Sequence, residues 1–273
     1  MKKNNCMHTF VVLAYKESPY LEECIKSVLN QSYKSKVVIA TTTDNDFIRK
    51  LAKKYKLEVI VGKHTSIGGD FDFAVQTGTT PLVTVAHQDD LYDFDYAKTV
   101  VDQYLKYSDA TILFTDYYEI RNGEKTLSNL NLKIKRILLS PLRLKRLAKC
   151  TFIKRFALRF GNSISCPAVT FVKDNCPKEI FSSPYQCNVD WFAWEKLSKR
   201  KGRFVFCSKK LMGHRISEES TTTDIIRQGI RTKEDYEIYC MFWPKWLAKL
   251  LAGLYQNSEK SNNIEKEKNK YEK

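Results

Sequence analysis

From residue 8 to residue 120 the chain alternates short apolar runs with amphipathic stretches. "HTFVVLAY" (8–15), "KVVIATTT" (36–43), "LEVIVG" (57–62), "PLVTVAHQDD" (81–90) and "ATILFTDYYEI" (110–120) are rich in β-branched and aromatic residues, which predicts five strands. Between the first two, Leu21, Cys24, Ile25, Val28 and Leu29 recur at helical spacing behind Ser18-Pro19, a good N-cap and first helical position. "DNDFIRKLAKKY" puts Phe47, Leu51 and Tyr55 on one helical face. "GGDFDFAVQTG" reads as a loop entering a helix with a glycine stop, and "DYAKTVVDQYLKY" as a further helix. Strands alternating with helices at this spacing predict an α/β fold with a mostly parallel central sheet covered by helices. Ligands of such sheets bind outside the carboxyl ends of the strands, here at Tyr15, Thr41 to Thr43, Asp89, Asp90 and Asp116.

After Asn122-Gly123 the pattern changes. Residues 125–160 are basic and apolar and read as helix broken by Pro141. "AVTFVKD" and "GRFVFCSK" predict two more strands, with "NVDWFAWEKLSKR" a helix between them. In "YCMFWPKWLAKLLAGLY", Trp243, Trp246, Leu247, Leu250, Leu251 and Leu254 fall on one helical face and Lys245 and Lys249 on the other. From Ser258 the chain is Glu, Lys and Asn, a composition that cannot bury a core. The expected organisation is one domain over 1–222 with a basic helical insertion at about 125–160, amphipathic helices over 223–257, and a disordered charged tail over 258–273.

The chain has 273 residues, 43% of them hydrophobic, enough for a substantial core. No uninterrupted apolar run approaches the ~20 residues of a membrane span. The first apolar run, Phe10 to Tyr15, is short for a signal peptide. The eight cysteines show no CxxC spacing and read as reduced thiols of a cytoplasmic protein. Net charge is +15, and Lys125 to Lys173 holds twelve Lys and Arg with no Asp or Glu. Such a block points to an anionic partner: nucleic acid, an anionic membrane or a phosphorylated substrate.

The fourth strand ends in His87, Gln88, Asp89 and Asp90. Adjacent carboxylates repel and are costly to desolvate, so they belong either to a solvated helix cap or to a site where a cation makes them useful. Asp190 opens a helix after the irregular "SSPYQCN", and His214 and Arg215 begin the hydroxyl-rich "GHRISEESTT". The turn after the first strand, "AYKESPY", has no phosphate-cradling glycines, which argues against a nucleotidyltransferase. The basic charge is confined to one segment with few base-reading residues, which argues against a nucleic-acid-binding protein.

"FVVLAYKESPYLEECIKSVLNQSY" resembles the opening of the family-2 inverting glycosyltransferases, and the later pieces follow in that family's order over roughly residues 8–222. The resemblance implies an A-type glycosyltransferase fold with a Rossmann-like nucleotide-binding half and a C-terminal helical extension. It implies transfer of a sugar, with inversion, from a nucleotide-sugar donor (UDP- or dTDP-linked favoured) to a hydroxyl of a glycan or polyprenyl-linked acceptor. The family's Asp-x-Asp motif matches at Asp89, the ligand expected for Mn²⁺ or Mg²⁺, with Gln88 at the free position and His87 in place of the first Asp. Ala14, Tyr15 and Glu17 match the donor-binding turn, Tyr15 packing on the base. Thr41 and Thr42 stand where an Asp pair often reads the base, and Asp70 lies on the donor side. His214 is implied as a second metal ligand and Arg215 as a phosphate clamp. Asp190 matches the general base, the second residue of a Glu-Asp motif whose first residue is Val189 here. Trp191 and Trp194 are either an acceptor platform or core. The basic segment and the tryptophan-bearing helix read as a surface for an anionic membrane, peripheral at the inner face of the cell membrane, or else as packing on the sheet or a dimer. No nucleic-acid partner is expected.

Overall fold

The computed structural model describes residues 6–216 and 229–255. β1 (His8–Ala14), α1 (Leu21–Leu29), β2 (Lys36–Thr41), α2 (Asp46–Tyr55), β3 (Glu58–Val61), α3 (Ile67–Thr77) and β4 (Leu82–His87) form consecutive parallel crossover units. β5 (Leu91–Tyr92), α4 (Tyr96–Lys106), β6 (Ala110–Arg121) and β7 (Glu124–Thr126) follow, then α5 (Leu130–Leu139) and α6 (Thr151–Phe156). β8 (Val169–Val172), α7 (Val189–Ser198), β9 (Arg203–Ile216), α8 (Ile230–Tyr239) and a last helix, α9 (245–255), complete the fold. The sheet order is β3-β2-β1-β4-β8-β6-β9-β5, with β7 paired to β6.

Local chemistry fixes the helix ends near the site. The Asn45 side chain caps α2 by accepting from the Ile48 N–H, and Ser66 caps α3 by accepting from the Gly69 N–H at 3.0 Å. β1 is buried along almost its whole length, which is why it reads as a continuous apolar run rather than an alternating one. The core lies on both faces of the sheet: Phe10, Ile25, Ile39 and Tyr96 belong to one cluster, and Val11, Phe114, Phe171 and Trp194 to the other.

The sheet is mixed where the sequence predicts it mostly parallel. β8 runs antiparallel between β4 and β6, and β5 pairs antiparallel with β9. Hydrophobic pattern marks a strand but not its direction, and β8 enters the sheet only after the long basic segment. That segment does break at Pro141, which lies in a 3₁₀ turn over Ser140–Arg143. It is anchored to the body by buried Leu132, Leu138, Leu142, Ala148 and Leu158. In α9 the predicted apolar face divides. Ala248 and Ala252 turn into the core, while Trp246, Leu250 and Leu254 face solvent. The small alanines let the helix approach closely, and bulkier residues one step round the helix are left outside. Among the described residues no helix is long and apolar enough to cross a membrane. All eight cysteines are free. The predicted charged tail (258–273) and most of the loop after Arg215 lie outside the described residues.

Candidate active site

The parallel strands β1, β2 and β4 deliver their carboxyl ends side by side. Ala14, the buried last residue of β1, pairs with Thr41 of β2. Tyr15 follows with its ring half exposed, and Lys16 next to it adopts φ 54°, turning the chain sharply. Gln88 locks this turn to the end of β4: its Oε1 accepts the Tyr15 N–H at 2.9 Å and its Nε2 donates to the Tyr15 carbonyl at 3.0 Å. Gln88 therefore positions Tyr15 rather than presenting a free amide. Thr41 is buried, its hydroxyl accepting the Thr43 N–H at 3.1 Å. Thr42 donates to Asp70 Oδ2 at 3.0 Å, and His64 Nδ1 lies 2.8 Å from the same oxygen. Asp70 Oδ1 is buried without a partner, a polar atom available to a ligand. Glu17 is exposed at the turn.

Beyond β4 the chain turns back through an Asp90 N–H to His87 carbonyl bond of 3.1 Å. His87, Asp89 and Asp90 each offer one ligand atom, all within 4.8 Å of one another. Asp90 is fully buried. Its Oδ1 accepts the Arg215 N–H at 2.8 Å and pairs with His214 Nδ1 at 3.0 Å. Its Oδ2 and the His87 Nε2 are buried without hydrogen-bond partners, His87 Nδ1 standing 3.9 Å from Oδ2. Burial pushes His87 down to about 4 and, with the neighbouring Asp90 charge, raises Asp89 to about 6. Burial also pulls on His214, but the charge and hydrogen bond of Asp90, with help from Asp89, hold it above its ordinary value. Orphaned buried oxygen and nitrogen atoms, mutually repelling carboxylates and a neutral imidazole are what a divalent cation would satisfy. The mixed carboxylate and imidazole donor set fits a divalent cation.

His214 and Arg215 reach this cluster through strand register. β5 pairs antiparallel with β9, Leu91 opposite Gly213, so Asp90 and His214 fall side by side. Gly213 is required there, because a Cβ would stand 2.6 Å from the Tyr118 ring. Arg215 donates from Nε to the Asp89 carbonyl at 2.9 Å and from NH2 to Glu23 at 2.6 Å, and its guanidinium stacks on Tyr20 at 4.1 Å.

Asp190 lies in the first turn of α7. Its Oδ1 accepts the Trp191 N–H and its Oδ2 accepts from Asn162 Nδ2, each at 2.7 Å. Burial raises its pKa above the ordinary value, against the Asn162 hydrogen bond that opposes the rise. The loop before it is wrapped around Glu234 of α8, whose carboxylate accepts the N–H groups of Gln186, Cys187 and Asn188. Two residues that could have replaced Asp190 are committed elsewhere. Glu195 pairs with Arg155 and Lys199, and Asp116 with Arg136 at 2.8 Å. Trp191 and Trp194 are fully buried, so they are core and not an acceptor platform.

The sequence marks His87 and Asp90 beside Asp89 but assigns neither as a ligand, and their convergence with buried, unmet atoms is what the structure adds. One contributor was not singled out from the sequence. Lys135 comes from α5, its Nζ 3.0 Å from the Tyr117 hydroxyl, and its charge acts on both His214 and Asp190. Nothing in the linear pattern separates Lys135 from the eleven other cations of its segment.

The model of glycosyl transferase family 2 matches residues 9–175. No curated protein sequence matches the chain. Among solved structures, S. aureus TarS superposes with TM-score 0.56 at 15% identity, covering 92% of this chain and 43% of TarS. The TarS 1–349 fragment in complex with UDP-GlcNAc gives TM-score 0.56 at 14% identity, covering 92% of this chain and 72% of that one. A mannosyltransferase from Pyrobaculum calidifontis, in complex with GDP-Man and Mn²⁺, gives TM-score 0.57 at 11% identity, covering 93% of this chain and 75% of that one. At these identities the likeness is one of fold, which is the A-type glycosyltransferase fold. The chain spans less than half the length of the full TarS chain.

Proposed function

The chain belongs to glycosyl transferase family 2, and from that membership we propose that it transfers a sugar from a nucleotide-sugar donor to an acceptor hydroxyl, inverting the anomeric centre. One observation carries the reading: the His87, Asp89 and Asp90 ligand atoms converge within 4.8 Å at the carboxyl end of β4, with buried atoms left unsatisfied. The structural neighbours in complex with UDP-GlcNAc and with GDP-Man and Mn²⁺ support a nucleotide-sugar donor and a divalent cation.

Asp89 and Asp90 would hold Mn²⁺ or Mg²⁺, with His87 and His214 as nitrogen ligands. When bound, the cation neutralises charge growing on the diphosphate leaving group. Tyr15, set by Gln88, packs on the nucleotide base. Thr41, Thr42 and Asp70 line the donor side, with Ala14 and Glu17 at its edge, and a UDP or dTDP donor is favoured. Arg215 and Lys135 add positive charge on the phosphate side. Asp190 Oδ2 takes the proton of the acceptor hydroxyl as that oxygen attacks the anomeric carbon opposite the diphosphate. The catalytic unit is residues 1–222, and the acceptor is a glycan or polyprenyl-linked glycan met at the cytoplasmic face of a membrane.

The test is a thermal-shift panel of UDP-, dTDP- and GDP-sugars with and without Mn²⁺, followed by NMR of the product's anomeric proton. A ligand that binds only the folded state raises the melting temperature by mass action. A shift for one nucleotide class that needs Mn²⁺, and a product of inverted configuration, support the reading. A panel without shifts, or retained configuration, would contradict it.

A further inference from the structure

α5 and α9 each carry an apolar stripe that the fold leaves uncovered. On α5, Leu130, Ile134 and Ile137 recur at i, i+4 and i+7, and Leu130 and Ile137 are 75% and 68% exposed. On α9, Trp246, Leu250 and Leu254 recur at i, i+4 and i+8, and Trp246 is 72% exposed. Phe152 on α6 and Phe160 just past it are exposed between them. These elements are tied together. The Arg159 guanidinium lies 5.2 Å from the Phe160 ring and 4.2 Å from the Trp243 ring that leads into α9. Trp243 Nε1 donates to the Arg159 carbonyl at 2.8 Å. At the other end of α9, the Tyr255 ring packs beside Gly161, and α5 contacts the Ser140–Arg143 turn, which in turn contacts α6.

Exposed cations interleave with the stripes: Lys133 on α5, Arg143, Arg146 and Lys149 after it, and Lys245 and Lys249 on α9. From Lys125 to Lys173, and again over 245–255, there is no acidic residue. Apolar side chains in water gain from burial whatever covers them, but a cover that also neutralises an all-positive rim must be anionic and greasy. A second copy of this chain would set like charges against each other, and nucleic acid would leave the apolar stripes wet.

We propose that the outer face of α5, α6 and α9 docks on an anionic lipid bilayer. The face adjoins the acceptor side of the candidate site: Asn162, which holds Asp190, is two residues from exposed Phe160. A lipid-linked acceptor in that bilayer would arrive beside the base, so the purpose of docking rests on the transferase reading, while the docking itself does not.

The experiment is co-sedimentation of the full chain with vesicles of phosphatidylcholine alone and with about one-third phosphatidylglycerol, together with tryptophan emission. Anionic vesicles should bind at least about tenfold more protein than neutral ones, and moderate salt should reverse most of the difference. The emission should shift to the blue, because Trp246 is far more exposed than the fully buried Trp191 and Trp194, and a Trp246→Phe variant should lose most of the shift. Arg143→Glu with Arg146→Glu and Lys149→Glu, or Ile137→Glu with Trp246→Glu, should each abolish recruitment while the melting temperature and donor binding stay unchanged. All five side chains are exposed, unlike Lys145, which turns inward to the Phe206 carbonyl. Vesicle binding without any nucleotide-sugar binding would sink the transferase reading and leave docking intact. Equal binding to both vesicle types, no binding to either, salt-sensitive capture of DNA instead, or a stable dimer broken by Trp246→Glu would each overturn the docking proposal.

Discussion

Each Asp190 carboxylate oxygen accepts one hydrogen bond, and burial leaves the group more basic than an ordinary aspartate, which suits the base proposed for it. Asp190→Asn keeps its shape and removes its basicity. We expect kcat to fall by about 10²–10⁴ with donor affinity unchanged, measured by steady-state kinetics and donor titration. A normal kcat would move the base elsewhere, and lost donor binding would make Asp190 a donor ligand. A second titratable residue governs stability. His8 is buried between Ser35 and Thr84, at 2.8 and 2.9 Å, and burial lowers its pKa from 6.5 to about 3. Below pH 6.5 the unfolded chain binds a proton that the folded chain refuses. The stability linked to His8 is therefore complete above that pH and lost as pH falls toward 3. Denaturant unfolding should show wild type losing about 1.5 kcal/mol more than His8→Gln between roughly pH 6.5 and 5, a difference that cancels the titration of His87 and Asp89 in the same range. Equal losses in the two proteins would clear His8 of the role. At this scale the run from His87 to Asp90 and Asp190 could be marked as candidates, because polar groups at a strand end or helix start stand out from apolar neighbours. What the sequence did not carry is the full burial of Asp90 and the unmet hydrogen bonds at Asp90 and His87, which no linear pattern reports.

At the scale of elements, the strands facing the donor read clearly because β1, β2 and β4 are apolar runs bounded by turn residues. β9 continues to Ile216, past the "GRFVFCSK" that predicted it, because its second half, "KLMGHRI", mixes polar and apolar residues. That half pairs with β5 and sets His214 beside Asp90, so the weakest strand signal positions much of the site. Irregular register between β6 and β9 at Thr115 to Tyr117 re-aims Asp116 and Tyr117, as bulges beside sites often do. Tyr117 in turn holds Lys135 of α5, so one helix of the basic segment serves the site while its outer face stays in solvent. Lys135→Met keeps the aliphatic stem and removes the charge. We expect donor KM to rise and kcat to fall, for a combined loss of about tenfold to a hundredfold in kcat/KM, with the circular-dichroism melt close to wild type. Unchanged kinetics would make Lys135 a strut for Tyr117 alone.

For the whole molecule, the basic segment is built into the body. Its leucines enter the core, and Lys154 is buried with its ammonium donating to the carbonyls of Arg200 and Gly202. β8 lies antiparallel between β4 and β6, a long-range connection that no local window reports. The transferase proposal depends most on the cluster at the end of β4, so it is tested by calorimetric titration of UDP, dTDP and GDP into wild type and Asp89→Asn, each with and without Mn²⁺. One nucleotide should bind wild type with Mn²⁺ at least about tenfold more tightly than without it, and Asp89→Asn, at wild-type melting temperature, should lose this gain. Equal nucleotide affinity with and without Mn²⁺ in wild type, or a full Mn²⁺ gain in Asp89→Asn, would contradict the proposal.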